Sequence, residues 1–220
     1  MELKFLGHAC FLLDDGARKV LTDPHLSGNP LAAAKPEDIS ADFICVTHGH
    51  GDHVGDSIAI AQRTGATVIC PVDLAGAVFK SAGVKTAGGN IGGTAPTPFG
   101  SVKLFQAIHG SGIAGGLACG LIIEIGGKKI YHAGDTALMA DMALLADEEI
   151  DVALLPIGDY YTMGPADALR AVKMIRPKLV IPMHYDTFPV IRQDADAFAA
   201  ACEAAGFAAK ALRPGESVEI

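Results

Sequence analysis

Short apolar runs fill much of this chain, and several of them end on a histidine or an aspartate. Runs of this kind, bounded by turn-forming residues, are typical of β-strands. We predict strands at residues 3–6, 10–13, 19–21, 43–47, 67–70, 102–107, 120–125, 129–132, 152–156 and 179–183. Helical patterns occur at residues 56–64, 74–82, 165–175 and 194–205. The alternation of strands with helices predicts an α/β fold.

The two halves of the chain share one design. Residues 7–24 and residues 120–136 each contain two strand-like runs around a turn, and they end near Asp23 and Asp135. Alternating strands and helices follow in both halves. This weak pseudo-repeat predicts two sheets packed face to face, with helices outside and polar residues collected at one edge, where strands end.

The length of 220 residues, half of them hydrophobic, suits one packed domain spanning residues 1–220. Residues 87–98 are rich in Gly, Thr and Pro, so we expect a long surface connection there. No apolar run approaches the roughly 18 residues of a membrane span, and the amino terminus lacks the pattern of a signal peptide. The five scattered cysteines, without a C-x-x-C pair, are typical of free thiols in a reducing compartment. We therefore expect a cytoplasmic protein.

The formal net charge of −8 argues against nucleic acid as a partner. It does not decide how a small anion binds, because only the field near a site matters to such a ligand. We expect a small-molecule substrate and no membrane partner. The sequence leaves the oligomeric state open between a monomer and a homo-oligomer.

The stretch THGHGDH, residues 47–53, holds three histidines and an aspartate between a predicted strand and a predicted helix. The turn can direct His48 and His50 to one metal ion and Asp52 and His53 to a neighbouring ion. Imidazole and carboxylate groups suit zinc and other first-row divalent ions. A solvated polar loop is the alternative. The intervening glycines leave mainly ligand-type side chains in the turn, which favours the metal site.

Three further ligand-type residues follow predicted apolar strands, namely His109, Asp135 and His184. Each of them alone could be a polar strand end with a backbone partner. Together they complete a pair of sites. One ion would be bound by His48, His50 and His109, the other by Asp52, His53 and His184, with Asp135 bridging the two.

This pattern resembles the metallo-β-lactamase fold superfamily. THGHGDH matches the H-x-H-x-D-H motif of that superfamily, and His109, Asp135 and His184 match its later ligands in order. The resemblance covers essentially the whole chain and implies a four-layered αβ/βα sandwich with a dinuclear metal site at the sheet edges. The segments TDPHLSGNPLA, YHAGDTAL and PMHYDTFPVI are similar to small bacterial and archaeal metal-dependent hydrolases that resemble the ascorbate phosphate lactonase branch.

The chain departs from that group in two places. His25 stands where the group usually has an aromatic residue, and the segment after His109 is shorter than the loop commonly found there. Since that loop would flank the pocket, the resemblance says less about the substrate than about the fold.

Other polar residues are candidates for supporting roles. Metal-bound imidazoles need a partner for their second nitrogen, and Asp23 stands where this fold usually places such a carboxylate, although Asp before Pro is also an ordinary turn former. His8 and His132 could each bind substrate, donate a proton or be an inward-facing, satisfied histidine. Strand alternation puts His132 on the face opposite Asp135, so only a twist at the intervening glycine would turn its ring toward the ligands. Residues 160–163 could line the pocket, and the role of His25 is left open.

The predicted chemistry follows from the charges. Two divalent ions carry four positive charges, of which two carboxylates and a hydroxide offset three, so the site favours an anionic substrate or a developing oxyanion. A metal-bound water has its pKa lowered toward about 7 and supplies hydroxide at neutral pH. Asp52 would orient this hydroxide, and His132 is a candidate proton donor to the leaving group.

We therefore predict a metal-dependent hydrolase acting on a small, anionic ester, lactone or related substrate. Its cofactors would be two divalent ions per chain, zinc foremost, with manganese, nickel or iron as alternatives. A phosphodiesterase or ribonuclease of the same fold is the main alternative. A non-catalytic metal-binding protein is a weaker one, because structural zinc sites are closed and rich in cysteine.

Overall fold

The computed structural model describes residues 1–220. The strands are β1 (Glu2–Gly7), β2 (Cys10–Asp14), β3 (Lys19–Thr22), β4 (Phe43–Cys45), β5 (Thr67–Pro71), β6 (Thr86–Gly89), β7 (Thr94–Thr97), β8 (Gly100–Gln106), β9 (Cys119–Ile125), β10 (Lys128–His132), β11 (Val152–Pro156), β12 (Leu179–Met183) and β13 (Ser217–Glu219). They form two mixed sheets. The first has the order β13-β1-β2-β3-β4-β5-β6, and the second has the order β12-β11-β10-β9-β8-β7.

The α-helices are α1 (Gly51–Val54), α2 (Ser57–Thr64), α3 (Val72–Leu74), α4 (Pro165–Ile175) and α5 (Ala195–Ala204). A π-helical turn at Ala75–Phe79 continues α3, and short 3-10 helices lie at Pro36–Asp38, Ala140–Glu148 and Pro189–Ile191. Helix α4 begins with proline at its first position, where the missing N–H costs nothing. Helix α5 is capped by Asp194, whose carboxylate accepts a hydrogen bond from the Ala197 N–H at 2.9 Å. None of the helices has the length and hydropathy needed to cross a membrane.

Two apolar cores show how these elements are layered. The larger core, of 41 buried residues, contains side chains from both sheets together with α4 and α5. The smaller, of 17 residues, lies between the outer face of the first sheet and helices α2 and α3. The sheets therefore pack against each other with helices outside, which confirms the predicted four-layered α/β sandwich.

Residues 87–98 lie at the surface, as expected, but they are not an irregular connection. This segment contains the end of β6 and all of β7, and β7 pairs with β8 in antiparallel register at an edge of the second sheet. Pro96 is tolerated there because an edge strand has one side without ladder hydrogen bonds. Apolar and polar residues do not alternate clearly in this segment, and backbone pairing with a neighbouring strand makes it regular. The edge strand β13 was also missed, because a run of three residues is too short to stand out in the sequence.

Neighbouring parallel strands bring the ligand-type residues to one edge. β3 pairs with β4 in parallel, and β10, β11 and β12 also run in parallel. Asp23 follows the end of β3, and His184 follows the end of β12. Two backbone hydrogen bonds join the sheets at this edge, from His184 N to His8 O at 2.8 Å and from Cys119 N to Thr47 O at 3.1 Å.

The loop that carries His50 packs backbone against backbone on the loop after His109. The Gly49 N–H donates to the Ser111 carbonyl at 2.7 Å. A Cβ added to Gly112 would lie only 2.4 Å from the carbonyl carbon of Gly49, and Gly112 has a φ of 73°. This close approach holds the two histidine-bearing loops together.

We predict that Gly112→Ala destabilises the protein more than Gly115→Ala. Both glycines have a left-handed backbone (φ 73° and 74°). This conformation is unfavourable for alanine, so the free energy of unfolding of each variant should fall by about 1–2 kcal/mol. A Cβ on Gly115 meets no neighbour, whereas one on Gly112 clashes, which adds about 1–3 kcal/mol. Urea unfolding of both variants measures the difference. Equal free energies of unfolding would show that the loop contact is not constrained.

Candidate metal centre

The seven predicted ligands converge at the shared edge of the two sheets. Three groups have potential ligand atoms that all lie within 4.8 Å of one another: His48, His50 and His109; His8, Asp52, His53 and His184; and His48, His53 and Asp135. The first group matches the set predicted for one ion. The second contains the set predicted for the other ion, with His8 in addition. No residue of the predicted metal set lies apart from the others.

Asp135 lies between the two groups. Its Oδ2 is 3.4 Å from His109 Nε2 and 3.1 Å from His184 Nε2, and its Oδ1 is 3.2 Å from His53 Nε2. The side chain is almost fully buried. One carboxylate thus reaches imidazole nitrogens of both sets, which is the arrangement a bridging ligand requires.

Two of the imidazoles are held by one buried carboxylate. Asp23 Oδ2 lies 2.8 Å from His53 Nδ1 and accepts the Thr47 hydroxyl at 2.7 Å. That hydroxyl oxygen is in turn 3.0 Å from His48 Nδ1. Because Nδ1 of both rings lies against these oxygens, Nε2 of His48 and of His53 faces the other ligands, with His48 Nε2 at 3.0 Å from His50 Nδ1. This is the position in which the sequence predicted Asp23.

The charges of the site suit a cation. Burial lowers the pKa of His48 to about 2, so its imidazole is neutral, as a metal ligand must be. Burial opposes ionisation of Asp135, but the neighbouring His53 and His184 hold the pKa of its carboxyl well below the usual range. Burial likewise opposes protonation of His53, yet Asp135 and Asp23 raise its pKa. The buried carboxylates therefore draw positive charge into the site.

Unpartnered polar atoms show that the residues fit a metal ion. His53 Nε2, Asp135 Oδ1 and His184 Nε2 are buried without a hydrogen-bond partner. Buried polar atoms of this kind are rare in folded proteins and call for a specific explanation. Nitrogen and oxygen atoms that converge in this way are the donor set that zinc and similar divalent ions take.

Several site residues adopt a backbone that side chains rarely favour. His8, Asp23 and His184 have φ values of 59°, 33° and 56°. Non-glycine residues in this region are uncommon and cluster at functional sites, where the surrounding structure holds them. Immediately before His8, the register of β1 against β2 shifts between Phe5 and Gly7.

His8, whose role the sequence left open, is a partner of Asp52. Its Nε2 lies 3.2 Å from Asp52 Oδ2, and its Nδ1 lies 2.6 Å from the Thr187 hydroxyl. Burial and the nearby His184 lower the pKa of His8 to about 3, so the ring is neutral. Nothing in the sequence marks Thr187 beyond its position three residues after His184.

His132 is not brought to the other site residues. Its ring is fully buried, with Nε2 2.8 Å from the Ala9 carbonyl, while Nδ1 accepts the Gly134 N–H at 3.2 Å. Gly134 has a positive φ of 60°, but the turn there directs Asp135, and not His132, into the site. Both ring nitrogens of His132 are occupied by backbone groups, so the geometry gives this residue a structural role.

A cavity of about 620 Å³ opens over the ligands. Five of the predicted ligands line it: His50, Asp52, His109, Asp135 and His184. Its other lining residues are His25, Tyr161, Phe188, Pro189 and Val190. The sequence named residues 160–163 as candidate pocket residues and left His25 open. It missed residues 188–190, which form an ordinary Pro-containing turn in the sequence and become part of the wall only when β12 is placed beside the site.

Comparison with known proteins identifies relatives of the whole chain. A family profile described as a beta-lactamase superfamily domain matches residues 2–184. A UPF0173 metal-dependent hydrolase from Symbiobacterium thermophilum is 52% identical, with 100% of both chains covered. One from Thermus thermophilus is 46% identical and covers 100% of this chain and 99% of the relative.

Solved structures agree with this result. Igni18, a metallo hydrolase from the archaeon Ignicoccus hospitalis, has 37% sequence identity and a TM-score of 0.92, covering 99% of this chain and 97% of that one. An isothiocyanate hydrolase from Delia radicum gut bacteria shares the fold, with a TM-score of 0.80 at 20% identity, covering 100% of this chain and 99% of that one. The predicted superfamily and the predicted metal-dependent hydrolase are confirmed. The chain belongs to the UPF0173 metal-dependent hydrolases of the metallo-β-lactamase superfamily.

Proposed function

We propose that this hydrolase cleaves an ester, lactone or related carbonyl bond of a small molecule, with two divalent ions held at the sheet edge. The observation that carries the proposal is the position of Asp135, whose carboxylate lies within hydrogen-bonding distance of imidazole nitrogens from both ligand groups. Because the ligand residues of these groups follow strands of both sheets, we also propose that residues 1–220 act as one domain.

The seven residues would divide between the ions as the sequence predicted. His48, His50 and His109 would hold one ion and Asp52, His53 and His184 the other, with Asp135 shared. We propose zinc as the metal, since imidazole and carboxylate suit it, with manganese, nickel or iron as alternatives. Ions bound there would supply Lewis acidity and lower the pKa of a water molecule toward about 7.

Asp52 is proposed to position the attacking water. It is the one carboxylate that lines the cavity and is also partly exposed. Burial opposes its ionisation, but the hydrogen bond from His8 and the charge of His53 lower its pKa. With Oδ2 held by His8, Oδ1 is free to accept a hydrogen bond from water and to aim it at a bound carbonyl carbon.

A small substrate suits this cavity better than a nucleic acid. None of its lining residues is Lys or Arg, so nothing beside the metal ligands would hold a chain of phosphates. All five cysteines are buried and free, which supports the proposal of a reducing compartment such as the cytoplasm.

The direct test is a substrate screen. Zinc-reconstituted protein is incubated with panels of lactones, carboxylic esters and phosphodiesters, and the metal-free protein serves as the control. We expect turnover of lactones or esters that depends on metal. Turnover restricted to phosphodiesters would contradict the proposed bond.

We predict that the purified protein binds close to two divalent ions per chain. His184→Ala should lose one ion preferentially, and Asp135→Ala should loosen both, because the Asp135 carboxylate reaches imidazole nitrogens of both groups. Elemental analysis after dialysis measures the occupancy. His132→Ala is the matched control, since this histidine lies outside the cavity and should keep both ions. Full occupancy in the Asp135 variant would remove its bridging role.

Asp52→Asn should fold normally but turn over substrate slower by roughly two to four orders of magnitude, because the amide cannot accept a proton as the carboxylate does. The amide keeps the size of the side chain, so circular dichroism and thermal unfolding should match the parent protein. Near-normal kcat at saturating metal would show that Asp52 has no part in the reaction.

Asp23→Asn should weaken metal binding by roughly 10- to 100-fold, since it removes the charge that orients His53 without removing a ligand. Competition with a chromophoric chelator measures the affinity. Asp159→Asn is a control carboxylate that lies outside the ligand groups. Equal affinities in the two variants would mean that Asp23 acts only in the turn.

A further inference from the structure

The cavity over the metal ligands has two chemically different sides. One side consists of the five ligand residues named above, and the other consists of His25, Tyr161, Phe188, Pro189 and Val190. Tyr161 is 53% exposed and Val190 50% exposed. Large apolar side chains exposed next to a reaction site are typical of surfaces that a ligand covers. We call these five residues the apolar wall.

The apolar wall carries no Lys or Arg side chain that could neutralise a negative charge. Its one histidine, His25, has its ring stacked against the Phe188 ring. The other charged groups of the cavity are the proposed metal ligands. A phosphate or carboxylate on the far end of a substrate would therefore lose water against the wall without gaining a cationic partner, which is unfavourable.

Contacts with neighbouring groups hold Phe188 and the loop that carries Tyr161. The Phe188 ring lies 6.3 Å from the His25 ring, nearly parallel to it, and 5.5 Å from the His8 ring. Tyr161 packs edge-on against Tyr160 at 4.8 Å. The loop before Tyr161 has a left-handed backbone at Asp159 and Tyr160 and is held by hydrogen bonds from Asp159 N to Met163 O at 3.0 Å and from Tyr160 N to Asp159 Oδ1 at 2.9 Å. Side chains held in this way form a preformed binding surface.

We propose that the apolar wall is a substrate subsite that selects an uncharged aryl or alkyl group, while the reacting carbonyl faces the ligand residues. The inference rests on the proposed hydrolysis of a carbonyl bond and names the substrate class for it. It also limits the predicted anionic character to the reacting end of the substrate. A sugar phosphate or a dicarboxylic acid derivative is the wrong class for this cavity.

Binding of carboxylates, the products of such a reaction, tests the subsite without turnover. Isothermal titration calorimetry of the zinc-loaded protein measures Kd for acetate, propanoate, butanoate, pentanoate and 3-phenylpropanoate. We expect Kd to fall roughly fourfold per methylene group until the cavity is filled. Glutarate is the matched charged probe, because it has the five carbons of pentanoate and a second carboxylate. It should bind at least about tenfold more weakly than pentanoate.

Two variants test whether the apolar wall causes this dependence of Kd on chain length and charge. Tyr161→Ala should raise the Kd of 3-phenylpropanoate roughly fivefold and leave the Kd of acetate unchanged. Val190→Lys should reduce the preference for pentanoate over glutarate by about tenfold, because it places a cation in the wall. Leu144→Lys is the matched control, since Leu144 is an exposed apolar residue (61%) that does not line this cavity. It should bind all the probes as the parent protein does.

Binding and turnover measurements together distinguish the apolar subsite from the proposed hydrolysis. The same preference should appear in turnover, with γ-nonalactone hydrolysed faster than γ-butyrolactone and 5-oxotetrahydrofuran-2-carboxylate slowest. Tighter binding of glutarate than of pentanoate, or no dependence of Kd on chain length, would overturn the subsite. So would a change of oligomeric state in Val190→Lys with no change in selectivity, since the wall would then be an interface between copies of the chain. Chain-length-dependent binding without turnover of any ester or lactone would support the subsite and contradict the proposed reaction.

Discussion

The buried carboxylate of Asp135 is the interaction on which the arrangement of the site depends. It lies among His53, His109 and His184, within 3.1–3.4 Å of a nitrogen of each ring. A negative charge in so buried a place is favourable only with positive charge nearby. The histidine rings bring part of that compensation, and the unpartnered nitrogen atoms of His53 and His184 are suited to a metal cation, which would bring the rest. Asp23 is buried behind His53 in the same way, and its carboxylate orients that ring through Nδ1.

The two sheets hold the ligand residues in position. Each contributes ligands after the ends of its strands, and two backbone hydrogen bonds, from His184 N to His8 O and from Cys119 N to Thr47 O, join the sheets beside the site. The contact of Gly49 with Gly112 brings the two loops of the first ligand group together. Because the large core fills the space between the sheets, the ligand positions are tied to the packing of the whole molecule.

The cavity shows why overall charge is a poor guide to the substrate. The chain has a net charge of −8, and the predicted metal pair would leave the reacting centre positive. Neither quantity describes the far side of the cavity, which is aromatic and aliphatic without a cationic side chain. Substrate selection in such a site depends on local desolvation, since each group entering the cavity exchanges water for the side chains in its wall.

The sequence by itself determined the local features of this protein. The apolar runs predicted ten of the strands, the helical patterns predicted α2, α4 and α5, and the ligand-type residues at strand ends predicted the metal centre. These signals are local, because periodicity, capping and ligand chemistry depend on near neighbours in the chain. The edge strands β6 and β7 lack such a pattern and β13 is only three residues long, and each of them pairs with a neighbouring strand through its backbone.

Only the tertiary structure decided the surroundings of the ligands. In the folded protein, His8 lies beside Asp52 and Thr187, and Asp23 contacts His53. His132 lies in the core, where both of its ring nitrogens contact backbone groups. The tertiary structure also brought residues 188–190 opposite Tyr161 to form one wall. These pairs are far apart in the chain, and a histidine has the same side chain whether it faces a cavity or a carbonyl group. The role of a histidine depends on which groups lie within hydrogen-bonding distance of its ring once the sheets have packed together.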